Sequence, residues 1–196
     1  YCRMAEKLSE SDVDMVELNI SCPNVKHGGV AFGTSCASVE EITVAVRKYC
    51  RKPLIVKLSP NVADIGEIAA AAEAGGADAI SLINTLTGMR IDIRTRRPIL
   101  RNNTGGLSGP AVFPVAVRMV WQAASKVKIP VVGLGGIAKW QDAVQMMLAG
   151  AAAFQVGSAL FVDPYTPQKI LNGLETYLSD HGVAEVTELT GAVKPW

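Results

Sequence analysis

Two asparagines flank a thiol directly after a short β-rich run. The segment reads Asn19-Ile20-Ser21-Cys22-Pro23-Asn24. Because an asparagine amide both donates and accepts hydrogen bonds, a pair of them suits a planar ligand edged with carbonyl and N–H groups. A thiol with a pKa of about 8.5 can serve as a general base if a closing loop adjusts its surroundings. The next loop, residues 26–33, has glycines around an apolar tip, as a lid would. Taken alone, Cys22 fits a turn with a buried free thiol better than a catalytic role.

A lysine and an asparagine end two further β-rich runs. Lys57 interrupts the apolar segment Leu54–Ser59, so its ammonium must point into a polar centre or lose hydration at a cost. A ligand contact and an ion pair inside a barrel fit this position equally well. Ile83-Asn84-Thr85 offers an amide and a hydroxyl, for which simple turn chemistry is the plainer interpretation.

Glycine-rich turns follow the last two β-rich runs. They are Gly135-Gly136 and Gly157-Ser158, and Gly109 stands at the start of a further helical pattern. Small residues allow backbone N–H groups to approach a phosphate closely. One such turn is weak evidence, but two in equivalent positions predict a phosphorylated ligand.

Five β-rich runs alternate with helical patterns, and these elements must position the residues above. The predicted strands are Met15–Ser21, Leu54–Ser59, Ala79–Asn84, Val131–Gly135 and Phe154–Gly157. Helices are predicted to begin at Ser38 (a capping box with Glu41), Asp64, Pro110, Lys139 and Thr166. The connection 85–108 is predicted to contain one small hairpin, and the tail beyond His181 to be short and polar.

Strands that alternate with helices require parallel pairing and right-handed crossovers. An open doubly wound sheet and a (β/α)8 barrel both satisfy this requirement, but no GxGxxG follows the first strand. Polar and glycine residues gather at the carboxyl ends of the strands, where a barrel has its active site, so we predict a TIM barrel. A barrel needs eight strands and typically about 250 residues. We therefore expect residues 1–196 to be the C-terminal part of a single barrel domain, with the last five βα units.

Composition excludes several classes of function. With 19 Lys and Arg against 18 Asp and Glu, the net charge of +1 gives no reason to expect a nucleic-acid partner. The uncharged stretch Ala143–Val162 is interrupted by Gln145, Gly150 and Gln155, which argues against a membrane span. Without a CxxC pair or neighbouring histidines, no metal site is predicted. We expect a cytoplasmic protein with reduced thiols.

In combination these motifs resemble the class 1 dihydroorotate dehydrogenases. The resemblance rests on ELNISCPNVKHGGVAFG (17–33), VKLSP (56–60), INT (83–85), GGLSG (105–109), GLGG (133–136) and QVGS (155–158). It spans essentially the whole chain. The loop KHGG with its following FG is similar to the NAD-linked subgroup, class 1B, more than to the fumarate-linked class 1A.

The resemblance implies an FMN flavoprotein that oxidises dihydroorotate to orotate in pyrimidine biosynthesis. Cys22 would be the base that takes the C5 proton while the C6 hydride passes to flavin N5, and Lys57 would stabilise the reduced ring near N1/O2. The implied substrate-binding residues are Asn19, Asn24, Asn84 and Thr85. The implied FMN contacts are Asn19, Lys57, Ile83, Gly109, Gly135, Gly136, Gly157 and Ser158.

The resemblance also implies a partner subunit with FAD and a 2Fe–2S cluster, which passes electrons to NAD, and a homodimer core within a heterotetramer. The first three βα units of the family are expected to precede Tyr1, so the segment alone is expected to be incomplete. Two alternatives remain at this point. One is a dihydropyrimidine-type dehydrogenase, and the other is an inactive half-barrel with a structural or interaction role.

Overall fold

The structure is a computed structural model that describes residues 1–21 and 30–196. The strands are β1 (Val16–Asn19), β2 (Leu54–Lys57), β3 (Ala79–Leu82), β4 (Leu86–Gly88), β5 (Ile91–Asp92), β6 (Arg97–Pro98), β7 (Gly105–Leu107), β8 (Val131–Leu134) and β9 (Ala153–Gln155). The α-helices are α1 (Cys2–Ser9), α2 (Val30–Gly33), α3 (Cys36–Arg47), α4 (Ile65–Ala74), α5 (Phe113–Ala124), α6 (Trp140–Leu148) and α7 (Thr166–Asp180). Short 3-10 turns span Pro110–Val112, Ser158–Phe161 and Val186–Leu189.

Five strands form one sheet in the order β1-β2-β3-β8-β9, and every neighbouring pair is parallel. The register sets Asn19 opposite Lys57 and Lys57 opposite Ser81. Since successive side chains of a strand point to opposite faces, these three residues share one face of the sheet. The other face carries the buried Leu18, Val56 and Ile80. The five predicted strands and their parallel pairing are confirmed.

The sheet curls strongly along its width. Glu17 on β1 accepts hydrogen bonds from Ser81 Oγ on β3 (3.0 Å) and from Gln155 Nε2 on β9 (3.1 Å). These three strands are the first, third and fifth of the sheet, so side chains of alternate strands meet on the concave face. Alternate strands supply each interior layer of a (β/α)8 barrel in the same way. The sheet is thus a five-stranded part of such a barrel, as predicted.

Helices cover the convex face of the sheet. Asp64 caps α4, because its Oδ1 accepts from the backbone N–H groups of Gly66 (2.8 Å) and Glu67 (3.2 Å). The alanine-rich face of α4 is fully buried at Ala69 and Ala72, which lets this helix pack between α3 and α5. The predicted start of this helix at Asp64 is confirmed. No helix of the part described here has the length and apolar character needed to cross a membrane.

Three local predictions need correction. Helix α3 begins after Ser35 rather than at Ser38, because Ser35 is extended and its Oγ accepts from the N–H of Ser38 (3.3 Å). The connection 85–108 contains the predicted hairpin, β5 with β6, but also a second antiparallel pair, β4 with β7, that the sequence did not indicate. The tail is not simply polar, since Leu189 is buried and Gly191 donates to Met147 O of α6 (3.0 Å).

Candidate active site

The amides of Asn19 and Asn84 meet at the carboxyl ends of β1 and β3. Ser21 lies between them, with only 2% of its surface exposed, and donates its hydroxyl to Asn19 Oδ1 (2.8 Å). Asn84 Nδ2 donates to Ser21 Oγ (2.6 Å) and lies 3.4 Å from Asn19 Oδ1. Asn84 Oδ1 in turn accepts from the N–H of Thr85 (2.7 Å). Both amides are therefore fixed in orientation, and the structure brings together three of the four predicted substrate-binding residues.

Asn61, which is not among the predicted site residues, holds the chain that follows Asn84. Its Nδ2 donates to Thr85 O (3.1 Å), and its Oδ1 accepts from the N–H of Thr87 (3.0 Å). These bonds tie the loop after β2 to the start of β4. The only signal in the sequence is an asparagine directly after Ser59-Pro60, at a third strand end.

A cavity of ≈ 280 Å³ opens beside the Asn84 amide, whereas Asn19, also predicted as a cofactor contact, does not line it. Lys57 reaches it from β2, and no ion pair involves Lys57 within residues 1–21 and 30–196. A half-buried ammonium beside a cavity, without an anion of the described chain as partner, is suited to a ligand that carries or develops negative charge. The predicted site residues that line the cavity are Lys57, Ile83, Asn84, Thr85, Gly109, Gly135, Gly136, Gly157 and Ser158.

Glycines from three loops line this cavity: Gly109 precedes the turn Pro110–Val112, Gly136 follows β8, and Gly157 follows β9. Gly109 (φ +92°) and Gly136 (φ +77°) both occupy the left-handed region, which favours glycine. A Cβ on Gly136 would lie 2.6 Å from Gly109 O and 3.0 Å from Phe113 N. The loop after β8 and the loop that contains Gly109 therefore touch through backbone atoms. A Cβ on Gly157 would instead meet open space. This cradle of closely packed backbone fits a phosphate group, and Ser158 opens a 3-10 turn beside it.

A carboxylate lies just beyond the cradle. Asp163 Oδ2 accepts from Lys169 Nζ (2.6 Å), and Asp163 Oδ1 accepts from the N–H of Tyr165 (2.9 Å). The hydrogen bond from Lys169, followed by the bond from Tyr165, lowers the pKa of Asp163 below its ordinary value of 3.8. Asp163 lines a second cavity, which shares Gly109, Gly136 and Ser158 with the first. Because its charge is paired with Lys169, Asp163 opposes a neighbouring phosphate less than a free carboxylate would.

Two predicted residues, Cys22 and Asn24, lie outside the described residues, as does the first half of the predicted lid, 26–29. The second half is the short helix α2, Val30–Gly33, and not a loop as predicted. The roles of Cys22 and Asn24 therefore stay predictions. No group of three or more metal-binding side chains occurs in the part of the chain that the structure describes. The amides, the ammonium and the glycine cradle fit a nucleotide-like ligand with a hydrogen-bonding ring at one end and a phosphate at the other. FMN has this combination of groups.

The family model for dihydroorotate dehydrogenase matches residues 1–178. The chain belongs to the dihydroorotate dehydrogenase family. The resemblance stated from the motifs is confirmed, and the region that matches contains every predicted site residue.

Curated relatives agree with this family. The chain is 58% identical, over 191 residues, to a protein of Alkaliphilus oremlandii named dihydroorotate dehydrogenase B (NAD(+)), catalytic subunit. It is 56% identical, over 195 residues, to a protein of the same name from Bacteroides fragilis. The alignments cover 97% and 99% of this chain but 63% and 64% of those relatives. The chain thus spans less than two thirds of the length of these curated relatives.

A solved structure supports the fold independently. A DHODH from Eimeria tenella, crystallised in complex with ferulenol, superposes with a TM-score of 0.81. The match covers 97% of this chain and 56% of the other, at 21% sequence identity. At this identity the likeness concerns the fold alone, and it supports the partial barrel described above.

Proposed function

We propose that this chain is part of an FMN-dependent dihydroorotate dehydrogenase, which oxidises dihydroorotate to orotate in pyrimidine biosynthesis. One observation carries the proposal. The Asn19–Ser21–Asn84 cluster adjoins a cavity that also holds the Lys57 ammonium and the glycine cradle. The family match and the names of the relatives support the same reaction.

The substrate would bind against the amides. Dihydroorotate carries a carboxylate and a ring edge of alternating carbonyl and N–H groups, which asparagine side chains can match in both directions. Asn19, Asn84 and Thr85 would hold these groups, with Asn24 completing the set. Because Ser21 already fixes the amides of Asn19 and Asn84, these side chains would lose little conformational entropy when the substrate binds.

The cofactor would lie along the cavity wall. Gly135, Gly136, Gly157 and Ser158 would hold its phosphate, and Ile83 and Gly109 would contact it nearby. When bound, FMN would supply the acceptor for the hydride that leaves the substrate. Lys57 would face the end of the flavin ring where negative charge develops on reduction. An ammonium already in place would lower the energy of that charge, because the protein need not reorganise when the charge forms.

Cys22 would remove the proton. It follows Ser21 directly in the chain, and Ser21 is anchored to both amides. The Cys22 thiolate would take the proton from the substrate carbon next to the one that loses hydride, so that a carbon–carbon double bond forms and the thiol is protonated. Its place in the sequence, directly after a residue that bonds both substrate amides, supports this assignment.

The names of the relatives, a catalytic subunit linked to NAD(+), support a partner that passes electrons onward. We propose that the partner carries FAD and a 2Fe–2S cluster, that two catalytic chains form the core of a heterotetramer, and that the enzyme acts in the cytoplasm. No metal is proposed for this chain.

The proposal is tested on the full-length protein as its gene encodes it. Purified protein should be yellow, release FMN on denaturation, and reduce an electron acceptor with dihydroorotate. Dihydrouracil serves as the matched substrate, because it lacks the carboxylate but keeps the ring. Preference for dihydrouracil would favour a dihydropyrimidine-type dehydrogenase, and a colourless protein without turnover would favour a structural role.

A further inference from the structure

Gln155 lines the same cavity as Lys57, and although it is the first residue of the motif 155–158, that motif implies no role for its side chain. We propose that Gln155 is a further ligand-contacting residue of this cavity, and that Glu17 is the positioning residue that fixes its amide. The inference rests on the proposed function, in which the ligand is FMN.

The Glu17 carboxylate determines which end of the Gln155 amide faces it. An ionised carboxylate has acceptor oxygens only, so the side-chain nitrogen of Gln155 must point toward Glu17, and the observed bond of 3.1 Å is of this kind. This leaves Gln155 Oε1 and the second N–H of the amide for other partners. Within the described chain no further side-chain bond of Gln155 is present, so these groups stay available to a ligand in the cavity.

The Glu17 side chain is itself held in place. Its Oε2 also accepts from Ser81 Oγ (3.0 Å), and Ser81 is fully buried at the centre of the sheet. Glu17, Ser81 and Gln155 come from the first, third and fifth strands, so they form one interior layer across the whole width of the sheet. Interior layers of barrels are usually filled by branched apolar side chains. A hydrogen-bonded layer next to a ligand cavity departs from this pattern. A role in orienting the Gln155 amide toward the ligand would explain it.

The position of Gln155 points to the ring of the ligand rather than to its phosphate. Gln155 precedes Gly157 by two residues, and it therefore lies on β9 inside the barrel, whereas Gly157 and Ser158 lie on the loop beyond the strand. The other residues that line the cavity from strands of this sheet are Lys57 on β2 and Leu134 on β8, and of these two Lys57 is the polar one. Gln155 and Lys57 thus approach from the barrel interior, and the glycine cradle approaches from the loops.

The test measures flavin binding to the apoprotein of the full-length enzyme, by quenching of flavin fluorescence. Gln155→Ala should raise the Kd by about tenfold, the loss expected for one hydrogen bond to a buried ligand group. It should raise the Kd of FMN and of riboflavin by the same factor, because the contact is to the ring. Ser158→Ala, in the glycine cradle, should weaken the binding of FMN far more than that of riboflavin, because riboflavin has no phosphate.

The positioning role is tested by a double-mutant cycle. Glu17→Ala alone should weaken flavin binding about as much as Gln155→Ala, and the double variant should be no weaker than either single variant. Glu17→Gln, which keeps an acceptor oxygen, should recover part of the loss. Glu67→Ala removes a carboxylate that pairs with Lys126 on the outer helices, and it should leave the Kd unchanged.

The outcomes separate the two claims. If the wild-type apoprotein binds no flavin, the proposed function is overturned and this inference with it. If the wild type binds FMN but Gln155→Ala binds equally tightly, only this inference is overturned. Additive losses in the cycle would overturn the positioning role of Glu17. If Glu17→Ala does not fold, the same cycle built with Glu17→Gln decides the question.

Discussion

Asn84 donates its side-chain N–H to Ser21 across 2.6 Å, although the two residues are 63 positions apart in the chain. The bond joins the carboxyl end of β3 to the residue that precedes Cys22. Ser21 also donates to Asn19, so a single buried hydroxyl fixes both predicted substrate amides. The arrangement of the proposed substrate site therefore depends on a serine that carries no chemistry of its own.

Replacement of this serine should weaken substrate binding. In Ser21→Ala both amides lose a partner, and each lost hydrogen bond is worth about 0.5–1.5 kcal/mol, so the affinity for orotate should fall by about tenfold. Titration of the full-length enzyme with orotate, followed by flavin absorbance, measures this. Ser125→Ala removes an exposed hydroxyl that donates to Gln122 O on the outer helix α5, and it is the matched control. An unchanged orotate Kd in Ser21→Ala would show that the amides need no such support.

Removal of the Lys57 ammonium should make the flavin harder to reduce. Lys57→Met keeps the aliphatic length but not the charge, and a charge-assisted contact is worth about 1.5–3 kcal/mol. For a two-electron couple this corresponds to a fall in reduction potential of about 30–60 mV. Equilibration with a reference dye measures the potential. Lys126→Met, on the outer helices, should leave it unchanged, and a similar fall in both variants would contradict the assignment of Lys57.

Gly136 should be intolerant of a side chain. In Gly136→Ala the positive φ and the approach of Cβ to Gly109 O at 2.6 Å combine, so the free energy of unfolding should fall by about 2–4 kcal/mol. Gly182 also has a positive φ, but its Cβ would meet nothing within 4 Å. Gly182→Ala should therefore cost only about 1–2 kcal/mol. Urea denaturation measures the free energy of unfolding of both variants. Equal losses would argue against close packing of the loop after β8 on the loop that contains Gly109.

The Asp163–Lys169 pair should make stability depend on pH in a defined direction. Because its pKa is lowered in the folded state, ionised Asp163 stabilises the fold above about pH 4, and this contribution is lost as the pH falls through the lowered pKa. The difference in Tm between wild type and Asp163→Asn should thus be larger at pH 7 than at pH 2.5. Asp180→Asn, at the exposed end of α7, controls for the general loss of a carboxylate. A difference that grows toward acid pH would contradict this sign.

Strand periodicity and glycine turns were sufficient to predict the five parallel strands and the glycine cradle. These features are local in sequence, because buried strands read as apolar runs and the turns at their ends require small residues. The amide cluster could only be predicted in part. The asparagines were identified by type and position, but the bonds through Ser21 depend on how β1 and β3 are aligned on either side of β2, which no single segment encodes.

The polar layer of Glu17, Ser81 and Gln155 could not be predicted at all. Each residue looks like an ordinary polar position in its own strand, and their contact depends on the curvature of the sheet. The true start of α3 was missed for a different reason. Ser35 and Ser38 are both good caps, and the choice depends on the backbone conformation at Ser35.

Anaerobic reduction of the full-length enzyme by dihydroorotate, followed in a stopped-flow spectrometer, tests the proposed reaction itself. The flavin absorbance should bleach at a rate that depends on the substrate concentration, and one orotate should form per flavin. Cys22→Ser should slow this step sharply at neutral pH, because a hydroxyl has a much higher pKa than a thiol. A bound flavin that dihydroorotate does not bleach would contradict the proposed reaction.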